Sequence, residues 1–142
     1  MAGHIMAASR KTLPPIIINA EDHKRLTALA SSALERVPEV AEALLSELDR
    51  ARIGASDALP ADSVQMGSTV AFEADNGFAK QVTLVYPGEA DIEAGRISVL
   101  TPIGAALIGL SVGQSIDWQD RSGKIHRMTI RSVTTQAIPG KV

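Results

Sequence analysis

The side chains able to do chemistry in this chain are few, and they are scattered. Histidine occurs only at His4, His23 and His126. None stands at metal-ligand spacing from another histidine or from a suitable carboxylate, so no zinc-type site and no cofactor are expected. His126 falls in a predicted strand and reads as a surface or half-buried structural histidine. Glu35, Arg36 and Glu39 sit where two predicted helices meet. Two carboxylates at an exposed tip could share a divalent ion with a partner's active site. A solvated turn whose acids match a helix dipole explains the same residues more economically. Glu89, Asp91 and Glu93 form a second acidic patch in a loop, a contact surface or simply a solvated one. The stretch Pro102–Ile103–Gly104–Ala105–Ala106–Leu107–Ile108–Gly109 has glycines but lacks the Lys–Ser/Thr ending of a phosphate-binding loop. Its glycines are expected to allow close helix-to-sheet packing and to end a helix. No Gly-x-Ser-x-Gly elbow is present. No catalytic residue is assigned, and the chain is expected not to be an enzyme.

Composition narrows the classes further. The 142 residues suffice for one ordinary domain or two very small ones. With 45% hydrophobic and 21% charged residues, the balance is that of a globular protein rather than a disordered one. A net charge of -2 provides no basic field, which argues against tight, sequence-independent binding to nucleic acid. Cysteine is absent, so disulfides, thiolate metal sites and thiol nucleophiles are excluded. That suits a reducing cytoplasm. No run approaches the roughly 18 to 20 apolar residues that span a bilayer, and no secretory signal is recognisable, so no membrane association is expected. Phe72, Phe78, Tyr86 and Trp118 are the only aromatics. Four dispersed rings can hardly line a base-stacking or planar-substrate pocket.

These residues must be positioned by local elements that the sequence announces. Residues 1–12 are left out of the fold as a disordered or cloning-derived N-terminus. From Leu13 to Ile18 a Pro-stiffened, β-branched lead-in is expected to be extended. Asn19 is a predicted N-cap, with Glu21 and Asp22 in the first helical turn. Leu26, Leu29 and Ala33 then make a helical stripe to about Leu34. Pro38 suits the start of a second helix, predicted from Glu39 to Ile53, with Ala41, Leu44, Leu48 and Ala51 as its stripe. The pair, within residues 13–53, reads as a short antiparallel, coiled-coil-like hairpin arm.

Residues 54–63 look like a linker, and from 64 to 142 the apolar period changes to 2. Val70–Ala74 and Lys80–Tyr86 should form a hairpin around Asp75–Asn76–Gly77. Ile97–Leu100 is a short strand. Thr101 and Pro102 open a short helix whose buried stripe is Ile103, Leu107 and Leu110. Gly113 turns into a strand at Ser115–Trp118, and Ser122–Gly123 turns into a last strand from Ile125 to about Thr134. The fold class is α+β: a helical hairpin plus a C-terminal domain with a mostly antiparallel sheet and one short helix.

The C-terminal half carries an ordered set of small motifs. Tyr86–Pro87–Gly88–Glu89–Ala90–Asp91 is followed by Gly95–Arg96–Ile97–Ser98–Val99–Leu100–Thr101–Pro102–Ile103–Gly104–Ala105–Ala106–Leu107–Ile108–Gly109–Leu110 and by Val112–Gly113. This string closely resembles the C-terminal domain of the GreA/GreB transcription factors. Ile16–Ile17–Ile18–Asn19, Leu44–Leu45–Ser46–Glu47–Leu48–Asp49–Arg50–Ala51 and Leu84–Val85–Tyr86–Pro87 are similar to the regulators of nucleoside diphosphate kinase, a Gre-related family. The resemblance covers most of the chain from Leu13 to Thr134.

The resemblance implies an FKBP-like C-terminal domain, an N-terminal coiled-coil arm and RNA polymerase as partner, bound near its secondary channel. Any DNA association would then be indirect, and the chain itself a monomer. Leu100, Thr101, Pro102 and Ile103 match the family's polymerase-docking loop, although Leu100 stands where cleavage factors carry an acid. Glu89 and Asp91 are carried along as a possible contact patch. Cleavage factors have a much longer arm that delivers tip carboxylates to a catalytic magnesium. Helices of about 14 to 15 residues reach only roughly 22 Å, so transcript cleavage through Glu35 and Glu39 is not expected. The fold also suggests prolyl isomerase activity, but the ring of aromatics that such enzymes use is missing, and fold alone is a weak warrant.

Overall fold

A computed structural model describes residues 14–55, 59–75, 77, 79–120 and 122–135. The expectations for residues 1–12, Leu13, Asn76 and Phe78 lie outside the described residues.

A three-residue strand, β1 (Ile17–Asn19), runs directly into α1 (Ala20–Ala33). The transition is made by Asn19, whose side chain accepts the N–H groups of Glu21 and Asp22 at 2.8 and 3.3 Å. Two of the donors that a helix start leaves free are thereby satisfied. Helix α1 buries Leu26, Ala30 and Ala33. Leu29 is only partly buried, because Ala30, four residues after Leu26, completes the inward stripe instead. A tight turn follows, with Val37 N–H donating to Ala33 O at 2.9 Å. Pro38 then opens α2 (Pro38–Arg50), which buries Ala41, Leu44 and Leu48.

Helix α2 ends three residues earlier than its apolar period suggests. Ala51 turns to extended backbone, and β2 (Arg52–Gly54) pairs in parallel with β1, Arg52 N–H donating to Ile16 O at 2.9 Å. The expected helix to Ile53 is corrected by this pairing, since the strand partner lies 35 residues away in register and no local signal reports it.

The C-terminal half forms a five-stranded sheet in the order β5-β4-β3-β7-β6. Its strands are β3 (Ser68–Ala74), β4 (Ala79–Val85), β5 (Arg96–Ser98), β6 (Ser115–Gln119) and β7 (Ile125–Thr135). All pairs are antiparallel except β4 with β5. That exception arises because two 3-10 turns, Pro87–Glu89 and Ile92–Ala94, carry the chain back to Thr83, so that β5 runs beside the second half of β4. A bulge at Ala71/Phe72 breaks the register with β7. The helix α3 (Pro102–Leu107) lies on one face, and Leu110, expected within it, is buried just beyond its end. The chain leaves α3 at Gly109, whose φ of +84° and closeness to Ile16 both require the missing side chain.

One core joins the two halves. Ile16, Ile18, Leu26, Leu44 and Leu48 cluster with Val70, Leu84, Leu107, Leu110 and Ile130. The helical hairpin therefore packs on the sheet domain, with α2 against α3, rather than standing out as the free arm expected from the sequence. Each of the two leucines Leu26 and Leu44, fully buried, contributes about 1.5–3 kcal/mol. A projecting hairpin would forfeit part of that burial. The segment read as a linker is likewise tied down at its end: Ser63 is buried and bridges to Ser111, and the next residue, Val64, is buried with its N–H donating to Leu110 O at 2.7 Å and its carbonyl accepting from Gly109 N–H at 2.8 Å. No described helix is long and apolar enough to cross a membrane.

Candidate protein-docking site

The loop from Ser98 to Gly104 is built as a rigid corner between β5 and α3. Ser98 Oγ accepts Leu100 N–H at 2.9 Å. Thr101 Oγ1 donates to Ser98 O at 2.7 Å and accepts Gly104 N–H at 3.0 Å, which caps the helix that Pro102 opens. A Cβ on Gly104 would collide with Ser98 O and lie 2.9 Å from Val99 Cα, so only glycine allows this approach. Leu100, Thr101, Pro102 and Ile103 are all half-buried. Leu100 and Ile103 rest on the core while keeping part of their surface free. A preorganised, partly apolar corner of this kind can be covered by a partner at little entropic cost.

Glu89 and Asp91 are exposed on the neighbouring 3-10 turns. Asp91 N–H donates to Arg96 O, and Arg96 N–H returns a bond to Asp91 O, both at 2.9 Å, which fixes this loop against β5. At its start stands Tyr86, whose hydroxyl donates to Asp22 Oδ1 at 2.9 Å while the Arg25 guanidinium lies 4.4 Å from its ring centroid. Burial pushes the Tyr86 hydroxyl above its ordinary pKa, and the bond to Asp22 adds to the shift. The acidic loop and the root of the hairpin are thus coupled through one aromatic residue.

Glu35, Arg36 and Glu39 are exposed at the hairpin tip, as expected. Arg36 and Glu39 also line a cleft of about 630 Å3 walled by α2, α3 and β6, and Pro102 of α3 lines it too. The structure therefore brings two tip residues and one loop residue to a common cleft. Glu35, Leu100, Thr101, Ile103, Glu89 and Asp91 do not line it. The β6 wall carries Trp118, stacked on His126 with ring centroids 4.8 Å apart. His126 is half-buried and its Nε2 lies 2.8 Å from Asp120 Oδ2. The hydroxyl of Ser122, then His126, holds the Asp120 carboxyl well below the usual carboxylate range.

The sequence points to His126 as structural and to Trp118 as one of four dispersed rings at the end of a strand, but it gives Asp120 no role and does not pair Trp118 with His126. The Asp120-x-Ser122-Gly123 pattern is a turn signature that could have exposed the carboxylate's role. Gln65 was also missed. It is buried, and its side chain bonds Asn19 N–H, Ile17 O and Ser63 Oγ at 2.9–3.0 Å. Phe72 is in the core, and Tyr86 and Trp118 are occupied as described, so these three rings form no common pocket. Among the described residues, no group of three or more His, Asp or Glu side chains could hold a metal ion.

Comparison with known proteins agrees with this architecture in both halves. Residues 59–135 match the model of the transcription elongation factor GreA/GreB C-terminal family, and residues 14–53 match that of the Rnk N-terminus. The chain is 40% identical over 107 residues to the regulator of nucleoside diphosphate kinase of Escherichia coli strain K12, covering 75% of this chain and 79% of that protein. It is 36% identical over 135 residues to the transcription elongation factor GreA of Rhodospirillum rubrum, covering 89% and 85%. A solved structure, the prokaryotic transcription elongation factor GreA/GreB from Nitrosomonas europaea, superposes with a TM-score of 0.68 at 35% identity. It covers 85% of this chain and 98% of that one. With its helical hairpin resembling the Rnk N-terminus and its sheet domain the Gre C-terminal domain, the chain belongs to the GreA/GreB transcription elongation factor family.

Proposed function

We propose that this chain is a non-enzymatic regulator that binds RNA polymerase near its secondary channel and acts there without cleaving RNA. In this reading Leu100, Thr101, Pro102 and Ile103 form the docking corner, with Glu89 and Asp91 beside it. The chain works as a cytoplasmic monomer and meets DNA only through the polymerase. It modulates elongation or competes with Gre factors for their docking position.

The observation that carries the proposal is the hairpin itself. Its helices have 14 and 13 residues, about 21 and 20 Å in length, and they pack against the sheet domain. Carboxylates coordinate a metal only within roughly 2.6 Å. Glu35 and Glu39, held on a short hairpin folded along the domain, lack the reach to place a ligand on a metal buried deep in a partner. The acids are then free for surface contacts alone.

The test is retention of the chain on immobilised core RNA polymerase, challenged with excess GreA. Displacement by GreA, together with weaker retention of Ile103→Asp, is the expected result. Unchanged retention under challenge would exclude a shared docking position.

A further inference from the structure

The cleft beside Pro102 has the geometry of a groove for an extended peptide. One wall consists of Ile116, Asp117, Trp118 and Gln119 of β6 and Asp120 just beyond it, five consecutive residues. Successive strand residues point to opposite faces. A cleft lying on one face of the sheet would touch every second residue, so this one runs along the strand's edge. Among the described residues, strand β6 is at the end of the sheet, with β7 on one side only.

The ladder shows which backbone groups face the groove. Asp120 N–H bonds Lys124 O, and Ile130 N–H bonds Gln114 O, both at 2.9 Å. With Ile116 opposite Met128 and Trp118 opposite His126, hydrogen bonding to β7 alternates through 114, 116, 118 and 120. The N–H and C=O groups of Asp117 and Gln119 must therefore point the other way, along the free edge. With no strand partner among the described residues, such a row of groups is a template for one more strand.

The remaining walls fit a strand as well. Helix α2 forms the far side from Pro38 to Glu47, about 14 Å of helix, against about 17 Å of β6. That length suits four or five extended residues. Ala105 and Ala106 leave room for larger apolar side chains on alternate positions of an occupant. Of the acids in the lining, Glu47 is paired with Arg50, Asp117 with Arg127 and Asp120 with His126. Arg36 and Glu39 both line the groove without an ion-pair partner among the described residues, so this end of it suits an occupant that carries one basic and one acidic side chain.

We infer that the groove takes an extended segment of RNA polymerase, apolar at alternate residues with a basic and an acidic side chain facing Glu39 and Arg36, which adds to β6 as a sixth strand under α2. The inference rests on the proposed docking to polymerase, because Pro102 belongs both to that corner and to the groove. It gives the hairpin a task at the interface: α2 is the lid of a peptide groove.

The experiment measures binding of the full chain to core polymerase, with hydrogen exchange along β6 read by mass spectrometry in the free and bound states. Asp117→Pro removes one edge N–H while leaving the ladder to β7 intact. Ala43→Arg fills the groove from exposed α2 surface. Each should weaken binding roughly three- to tenfold, and bound wild type should show slowed exchange at Asp117 and Gln119. If wild type binds, Ile103→Asp weakens it, both groove variants bind normally and β6 stays unprotected, the groove inference is overturned while corner docking stands. If wild type does not bind at all, the docking proposal itself fails. Protection of the β6 edge already present in the free chain, or appearing on self-association, would mean that another occupant fills the groove and would overturn the assignment to polymerase.

Discussion

Replacing Gln65 by Leu should loosen the joint between hairpin and sheet domain, and its cost can be worked from the structure. Gln65 Oε1 accepts Asn19 N–H at 3.0 Å, and Nε2 donates to Ile17 O at 2.9 Å and to Ser63 Oγ at 3.0 Å. Leucine fills nearly the same volume but offers no polar atom. Ser63 keeps its bond to Pro60 O at 2.8 Å, so two backbone groups are stranded, not three. A buried orphan costs about 1–3 kcal/mol. Asn19 and Ile17 are half-buried, and water relieves part of the penalty, which places the sum at about 2–3 kcal/mol. For a chain of this size that corresponds to a fall in Tm of roughly 5–10 °C. Thermal unfolding followed by circular dichroism reads the change, and hydrogen exchange at Ile17–Asn19 should accelerate with it. A loss below about 0.5 kcal/mol, or faster exchange spread evenly over the chain, would refute the role given to Gln65.

Three further outcomes are expected. Gly104→Ala should destabilise the fold by about 1–3 kcal/mol in denaturant titrations, because the new methyl meets backbone atoms of Ser98 and Val99 that cannot yield. Tyr86 has a raised pKa in the folded chain, so its contribution to stability is complete below its unfolded value near 10 and is lost as pH rises above it. The unfolding midpoint should fall as pH rises above about 10, and Tyr86→Phe should flatten that slope. Asp120 has a depressed pKa, so its contribution is present above its unfolded value near 4 and is lost as pH falls below it. In acid titrations Asp120→Asn should be less sensitive than wild type over that range.

What could be seen in the sequence follows the range of the interaction responsible. The Asn19 cap, the proline at the start of α2, the Thr101–Pro102 opening of α3 and the glycine turns are local devices, and each stands where the sequence places it. The end of α2 was hidden because Arg52 and Ile53 fit a helical period as well as a strand, and a partner at Ile17 and Ile18 decides between them. The packing of the hairpin on the domain was hidden for a similar reason. An apolar stripe on a helix reports that it is covered, not by what. The Thr101–Pro102 corner, here proposed for docking, was legible as a local turn and helix start through its motif. The groove was not, because the free edge of β6 depends on the order of strands, and Trp118, Pro102 and Glu39 meet only in the folded chain.

The central claim is that this chain occupies the Gre position on RNA polymerase with a hairpin too short to cleave. It is tested most directly on backtracked elongation complexes with magnesium, first with the chain alone and then with the chain titrated against GreA. The expected result is no RNA shortening above the polymerase's own rate with the chain alone, and progressive suppression of GreA-stimulated cleavage as the chain is added. RNA shortening by the chain alone that Glu35→Gln or Glu39→Gln abolishes would contradict it.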